Sequence, residues 1–134
     1  AFLCGPTGNV ALLPAAQHLS ADGRFHYRGG DLPLPADLAA RAVRLAARAV
    51  ECVPGLCGWV GVDLVLGDDR DVAIEINPRL TTSYVGLRAL AGFNLAGAML
   101  RAAVGEPADT PHWLDGGVHF LSDGSVELVT LEPG

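Results

Sequence analysis

Apolar side chains occupy every second position at Val60, Val62, Leu64 and Leu66, and the same alternation returns at Val72, Ile74 and Ile76. A period of two marks β-strands. The polar stretch Asp68-Asp69-Arg70 between them suits a three-residue hairpin turn. Pairing the strands antiparallel about that turn sets Gly67 against Asp71, Val65 against Ala73, Asp63 against Glu75 and Gly61 against Asn77. The opposite face is then entirely apolar, and a one-residue slip would push it out of the core.

The elements before the hairpin are shorter. Phe2-Leu3-Cys4 reads as a strand ended by the turn Gly5-Pro6-Thr7-Gly8. Val10 to Leu19 is a longer apolar stretch carrying Gln17 and His18. Ala21-Asp22-Gly23 is a turn, and Arg24 to Arg28 a short strand. A helix opens at Pro35-Ala36-Asp37 with Asp37 as its N-cap. Its apolar stripe is Leu38, Ala42, Leu45, Ala49 and Cys52, and Arg41, Arg44 and Arg48 line a solvated side. Pro54-Gly55 stops it.

After the hairpin the spacing predicts a short helix over Tyr84 to Leu90. Gly92-Phe93-Asn94 then breaks the chain, with Asn94 capping a second helix that packs Leu95, Met99, Ala102 and Ala103 inward. A loop from Pro107 to Asp115 carries Trp113. Gly117 to Leu121 and Ser125 to Leu131 form a hairpin about Asp123-Gly124. The expected fold class is α/β (α+β), a mostly antiparallel sheet with flanking helices. The expected organisation is one domain over 1–134, with a core over 1–105 and a terminal hairpin over 116–131.

Charge changes the picture at the central hairpin. Asp63 and Glu75 directly opposed on one face repel each other. A divalent cation would relieve that, and two carboxylates with the amide oxygen of Asn77 are hard oxygen ligands suited to Mg2+. The bland alternative is a solvated sheet face that happens to carry acids. Pro78 ends the strand and leaves Arg79 just past the acids. There it is placed either to bind a phosphate bidentately or to salt-bridge one of the acids. Thr81, Thr82 and Ser83 precede a helix start, where a hydroxyl caps free N–H groups and an anion is attracted. Ser83 reads first as a plain cap. Gly29 and Gly30 lie in a loop, Tyr27 to Asp31, whose backbone suits either close approach to a ligand or a flexible connector.

Composition narrows the classes. The chain has 134 residues and a net charge of −6, and all nine of its basic side chains are arginine. That balance argues against a nucleic-acid surface, and no apolar run is long enough to span a bilayer. The three cysteines, Cys4, Cys52 and Cys57, form no C-x-x-C pair and share no zinc-ligand spacing with the four histidines. They read as reduced, mostly buried thiols in a cytoplasmic protein. The start, Ala-Phe-Leu-Cys without a methionine, suggests a piece of a longer chain.

Asp63 followed by Glu75-Ile76-Asn77-Pro78-Arg79 resembles the end of the ATP-grasp domain. The longer string Gly61-Val-Asp-Leu-Val, then Glu75 through Leu87, is similar to a subgroup of small ATP-grasp carboxylate–amine ligases that includes tyramine–glutamate ligases. The resemblance covers about residues 1 to 105. It implies the carboxy-terminal portion of the fold and an activity in which ATP activates a carboxylate as an acyl phosphate for attack by an amine. It implies Asp63, Glu75 and Asn77 as ligands of one or two Mg2+ ions, with Mn2+ an alternative, and Glu75 bridging. Glu75, Asn77 and Arg79 would bind the nucleotide phosphates, and Arg79 would neutralise the transferring group as the catalytic residue. Gly29, Gly30, Thr82 and Ser83 would line the acceptor site. The implied partners are small carboxylate and amine substrates, without nucleic acid or membrane; a homo-oligomer is left open.

The chain also departs from the family. D-alanine–D-alanine ligases carry an arginine two residues before the first acid, where this chain has Gly61. The phosphate-binding lysines of the fold lie upstream, and this chain has no lysine. The expectation is that the chain alone binds ATP poorly. A second reading is a non-catalytic α/β module with a structural cation site. A third, a metal-dependent phosphate hydrolase, lacks the further ligands it would need.

Overall fold

The computed structural model describes residues 1–107 and 110–131. Its strands are β1 (Phe2–Gly5), β2 (Gly8–Ala11), β3 (Ala16–Leu19), β4 (Tyr27–Leu32), β5 (Gly58–Leu66), β6 (Asp71–Asn77), β7 (Gly117–Leu121) and β8 (Val126–Val129). Its helices are α1 (Ala36–Glu51), α2 (Ser83–Leu90) and α3 (Leu95–Ala103). The strands form two antiparallel sheets, ordered β2-β1-β5-β6 and β3-β4-β7-β8. The α+β class expected from the sequence is the class observed.

Alternation along β1 and β5 divides the interior. Phe2, Cys4 and Val60 face α1 and pack with Ala46 and Val50. Leu3 and Trp59 face the other way, into a larger cluster with Leu87 and Leu90 of α2, Ala98 and Ala102 of α3, and Leu32, Val118 and Phe120 of the second sheet. The two sheets thus share one core, and β5 belongs to both of its parts.

Several expectations are corrected. The stretch from Val10 to Leu19 is not one strand. Pro14 interrupts it, and the chain crosses from the first sheet to the second over residues 12–15. Arg24 to Arg28 is mostly loop. Ser20 closes that loop, donating its Oγ–H to Asp22 and accepting from the His26 N–H, while Phe25 adopts φ 54°. The N-cap of α1 is Pro35 and makes no side-chain cap bond; Asp37 lies in the first turn, where its charge still favours the helix dipole. The buried stripe of α1 is Ala42, Ala46 and Val50, rotated from the predicted one, so Cys52 and Val53 are exposed. Cys57 is exposed as well, and only Cys4 is a buried thiol; burial pushes its pKa up to about 11. In α3 the buried residues are Leu95, Ala98 and Ala102, and Asn94 caps it as expected, accepting from the Gly97 N–H at 2.8 Å. The loop expected over 107–115 lies partly outside the described residues. The terminal hairpin forms about the expected turn, with Gly124 at φ 94°, but its second strand is Val126–Val129, shorter than the expected Ser125 to Leu131.

Candidate functional site

β5 and β6 pair in the expected register where it bears on chemistry: Gly61 opposite Asn77, Val62 opposite Ile76, Asp63 opposite Glu75. Beyond Asp63 the ladder shifts by one, and Leu64 pairs with Ala73, Val65 with Val72, and Leu66 with Asp71. Ile74 is therefore a bulge residue, and the loop holds four residues, 67–70, closed by the Gly67 N–H donating to Arg70 O at 3.1 Å. The predicted pairs Gly67–Asp71 and Val65–Ala73 do not form. Ala73 and Asp71 turn toward α1, and Val65 and Val72 turn outward on the face of the acids, exposed like Ile74.

The turned Asp71 finds a partner. Arg41 of α1 donates Nε to Asp71 Oδ2 at 3.1 Å and Nη2 to Oδ1 at 2.5 Å, and Nη2 also reaches Gly67 O at 2.7 Å. Arg41 is thus not part of a solvated face; it fastens the hairpin tip to the helix. The Arg41 guanidinium holds the Asp71 carboxyl below its ordinary value.

Asp63 and Glu75 share the face that leads down to Gly61 and Trp59. Asp63 accepts from Gln17 Nε2 of β3 at 3.0 Å, so the second sheet reaches the acid pair. Tyr27 of β4 lies close enough that burial, and then the Asp63 charge, raise its phenol pKa. Glu75 is exposed and makes no side-chain hydrogen bond to a described residue. No described arginine or histidine forms an ion pair with either acid. Asn77 is 8% exposed. Arg79 turns back beside it, with Nη2 3.5 Å from Asn77 Oδ1 and Nη1 donating to Leu80 O at 3.2 Å. The backbone sets this turn, since the Arg79 N–H donates to Asn77 O at 2.8 Å directly after Pro78.

Four side chains from one hairpin, Asp63, Glu75, Asn77 and Arg79, therefore stand together. The donor set fits Mg2+: two carboxylates that no described arginine or histidine pairs with, and an amide oxygen beside them. Gln17 and Tyr27 were missed from sequence. Nothing short-range marks them; the packing of the second sheet against the first brings them in.

The remaining predicted residues behave differently. Thr82 is the N-cap of α2 but makes no side-chain cap bond, and Ser83 is the first helical residue, so neither caps as predicted. Ser83 Oγ instead shares a 2.9 Å hydrogen bond with Thr81 Oγ1. Gly29 and Gly30 are not in an open loop. Both are buried in the central strand β4, and a Cβ on Gly30 would lie 2.2 Å from Ala16 O and 2.9 Å from Phe120 Cζ. Close strand packing requires these glycines, and they offer no loop to a substrate.

Gly61 has a comparable reason. A Cβ there would stand 2.6 Å from Thr81 Cγ2. Thr81 fills the place that a long side chain at this position would need, which accounts for the departure at Gly61.

Among curated proteins, tyramine–L-glutamate ligases of Methanocaldococcus jannaschii and Methanocaldococcus fervens are each 42% identical to the chain over 60 residues. The match covers 45% of this chain but only 20% of either relative's length. No solved structure matches. The family model of the ATP-grasp domain matches residues 1–83, which include all four side chains of the hairpin site. The chain belongs to the ATP-grasp domain family.

Proposed function

We propose that this chain supplies the magnesium- and phosphate-binding half of an ATP-dependent carboxylate–amine ligase. The observation that carries the reading is the cross-strand opposition of Asp63 and Glu75, with Asn77 and Arg79 beside them. Membership of the ATP-grasp family and similarity to two ligases support the class of reaction. The acid and the amine belong to the proposal: the relatives' names make glutamate and tyramine the first pair to try.

In this reading Asp63, Glu75 and Asn77 hold one or two Mg2+ ions. Bound Mg2+ neutralises charge on the nucleotide phosphates and fixes their orientation. Gln17 holds Asp63 from the facing sheet, which leaves the second carboxylate oxygen for the cation. Glu75, exposed and without a hydrogen-bond partner among the described residues, offers its oxygens to the cation. Arg79 presents a planar fork to the transferring phosphoryl group, steadied by its contact with Asn77. The substrate carboxylate takes the γ-phosphoryl group of ATP to give an acyl phosphate and ADP. The amine then displaces phosphate and forms the amide. The chain contributes position and charge compensation, the main sources of catalysis in phosphoryl transfer.

The exposed Val65 and Val72 on the same face suit contact with the apolar parts of a nucleotide or with the upstream half of the fold. Residues 1–134 are read as one carboxy-terminal unit, and the reduced cysteines as those of a cytoplasmic protein.

The test is made in the whole protein that carries this segment. ADP release is followed with ATP, Mg2+, glutamate and tyramine, and hydroxylamine is added to trap the acyl phosphate as a hydroxamate. Hydroxamate formation that disappears in Asp63→Asn and Glu75→Gln supports the reading. Full turnover in both variants would refute it and favour a non-catalytic module with a structural cation site.

A further inference from the structure

A second cluster of metal-binding side chains lies on the other face of the second sheet. Gln17, Gly30 and Phe120 are cross-strand neighbours, and they face the core and the acid pair. The residues that alternate with them face away. Asp31 of β4 stands directly opposite His119 of β7, and its partner on the other side is Ala16 of β3. His18, two residues along from Ala16, is therefore the diagonal neighbour of Asp31. Asp31 Oδ2 lies 2.5 Å from His18 Nε2 and Oδ1 lies 2.6 Å from His119 Nδ1. The two imidazole rings are 5.7 Å apart between centroids. One nitrogen from each histidine and one Asp31 oxygen all lie within 4.8 Å of one another.

We propose that His18, Asp31 and His119 bind a divalent transition-metal ion of the zinc class, at a site separate from the Mg2+ face of β5 and β6. The donor chemistry carries the choice of ion. Two imidazole nitrogens and one carboxylate oxygen suit zinc, whereas Mg2+ favours oxygen ligands throughout. Bonds of about 2.0–2.2 Å in a tetrahedral arrangement set the ligand atoms about 3.4 Å apart. One Asp31 oxygen and one nitrogen of each histidine, already within 4.8 Å of one another, reach this spacing by moving at most about 1.4 Å relative to each other.

The side chains have room to make that change, because His18, Asp31 and His119 are 44%, 48% and 38% exposed. The β4–β7 ladder runs unbroken past Asp31 and His119, and β3 pairs regularly with β4 from Ala16 to His18, beyond which the register shifts. Without an ion the imidazoles are hydrogen-bonded to the carboxylate. Three protein ligands leave one tetrahedral position for water or a substrate group. His18 and Asp31 lie within the family match and His119 lies beyond it, so the ion ties residues 117–121 to the ATP-grasp segment.

Metal-free whole protein, prepared by chelation and dialysis, is titrated with Zn2+ by calorimetry and with Co2+ by visible absorption. One equivalent of Zn2+ is expected, together with the intense visible bands of tetrahedral Co2+. Affinity is expected to fall at least about tenfold in His119→Gln and in Asp31→Asn, with circular dichroism unchanged, and to stay as it was in Glu75→Gln. No zinc uptake by the unsubstituted protein would overturn the proposal, as would uptake that survives in His18→Gln/His119→Gln or vanishes in Glu75→Gln. If one histidine variant fails to fold, the Co2+ spectrum of the unsubstituted protein and the Asp31→Asn titration still decide it.

Discussion

Trp59 donates its indole N–H to Thr81 Oγ1 at 3.0 Å, and so fixes the threonine that lies over Gly61. Trp59 is 3% exposed and Thr81 half-buried, so this is a partly buried hydrogen bond at the base of the candidate site. Replacing Gly61 by alanine is expected to cost about 1–3 kcal/mol, because the new methyl displaces Thr81 and weakens its bonds to Trp59 and Ser83. Urea denaturation measures the loss. The paired variant Gly61→Ala/Thr81→Ser, which removes the clashing methyl, is expected to recover most of it.

Relief of like-charge repulsion gives Glu75→Gln a distinctive signature. In the absence of Mg2+ it is expected to leave stability unchanged or raise it by about 0.2–1 kcal/mol, since the acids oppose each other across the ladder. In the whole protein the same variant is expected to lose at least about 100-fold in kcat/KM, the scale of several kcal/mol of lost charge stabilisation. A gain in stability with a loss of turnover separates a site residue from a structural one.

Arg79→Lys keeps the positive charge and loses the planar fork. If the fork holds the transferring group, the lysine variant is expected to fall with Arg79→Ala, by about 100-fold in kcat, with little change in the KM for ATP. Steady-state kinetics on the two variants read this directly.

The Arg41–Asp71 pair predicts a pH dependence of stability. The carboxyl of Asp71 sits below its ordinary value of 3.8 in the folded chain. Its contribution is therefore full above about that value and is lost as the pH falls toward the lower folded value. Asp71→Asn is expected to lower the melting temperature at neutral pH and to flatten its decline on acidification below pH 4, as followed by thermal denaturation across the acid range.

Gly30→Ala tests the reassignment of the glycines from loop to strand. The added methyl meets the Ala16 carbonyl and the Phe120 ring at distances that neither can yield cheaply. A loss of about 3 kcal/mol is expected by denaturant titration. An open substrate loop would show almost none.

The period-two pattern of β5 and β6 was enough to place Asp63 opposite Glu75 and Gly61 opposite Asn77, and the proline after Asn77 ended the strand where it does end. The bulge at Ile74 was not legible. An apolar residue that alternates correctly looks the same in a regular ladder, and only the partner of Asp71, contributed by Arg41 from another element, shows which register the tip prefers. The exposed Ile74 and Val72 have the same origin. Gly29-Gly30 misled for a related reason, because glycine permits both open turns and the tightest strand contacts, and distant Phe120 decides between them. The His18, Asp31 and His119 cluster was invisible because its members come from three strands, with His18 and His119 101 positions apart, and become neighbours only through sheet order.

The extra residue at Ile74 separates the hairpin into two halves that need not stay in step. On the inner side the acids are held in their own pairing; on the outer side the tip is held by Arg41. Removing Ile74 would restore a regular ladder with both pairings intact, since Glu75 would still meet Asp63 and Ala73 would still meet Leu64. The hairpin thus contains slack of one residue, and a length change absorbed there would leave the acids facing each other.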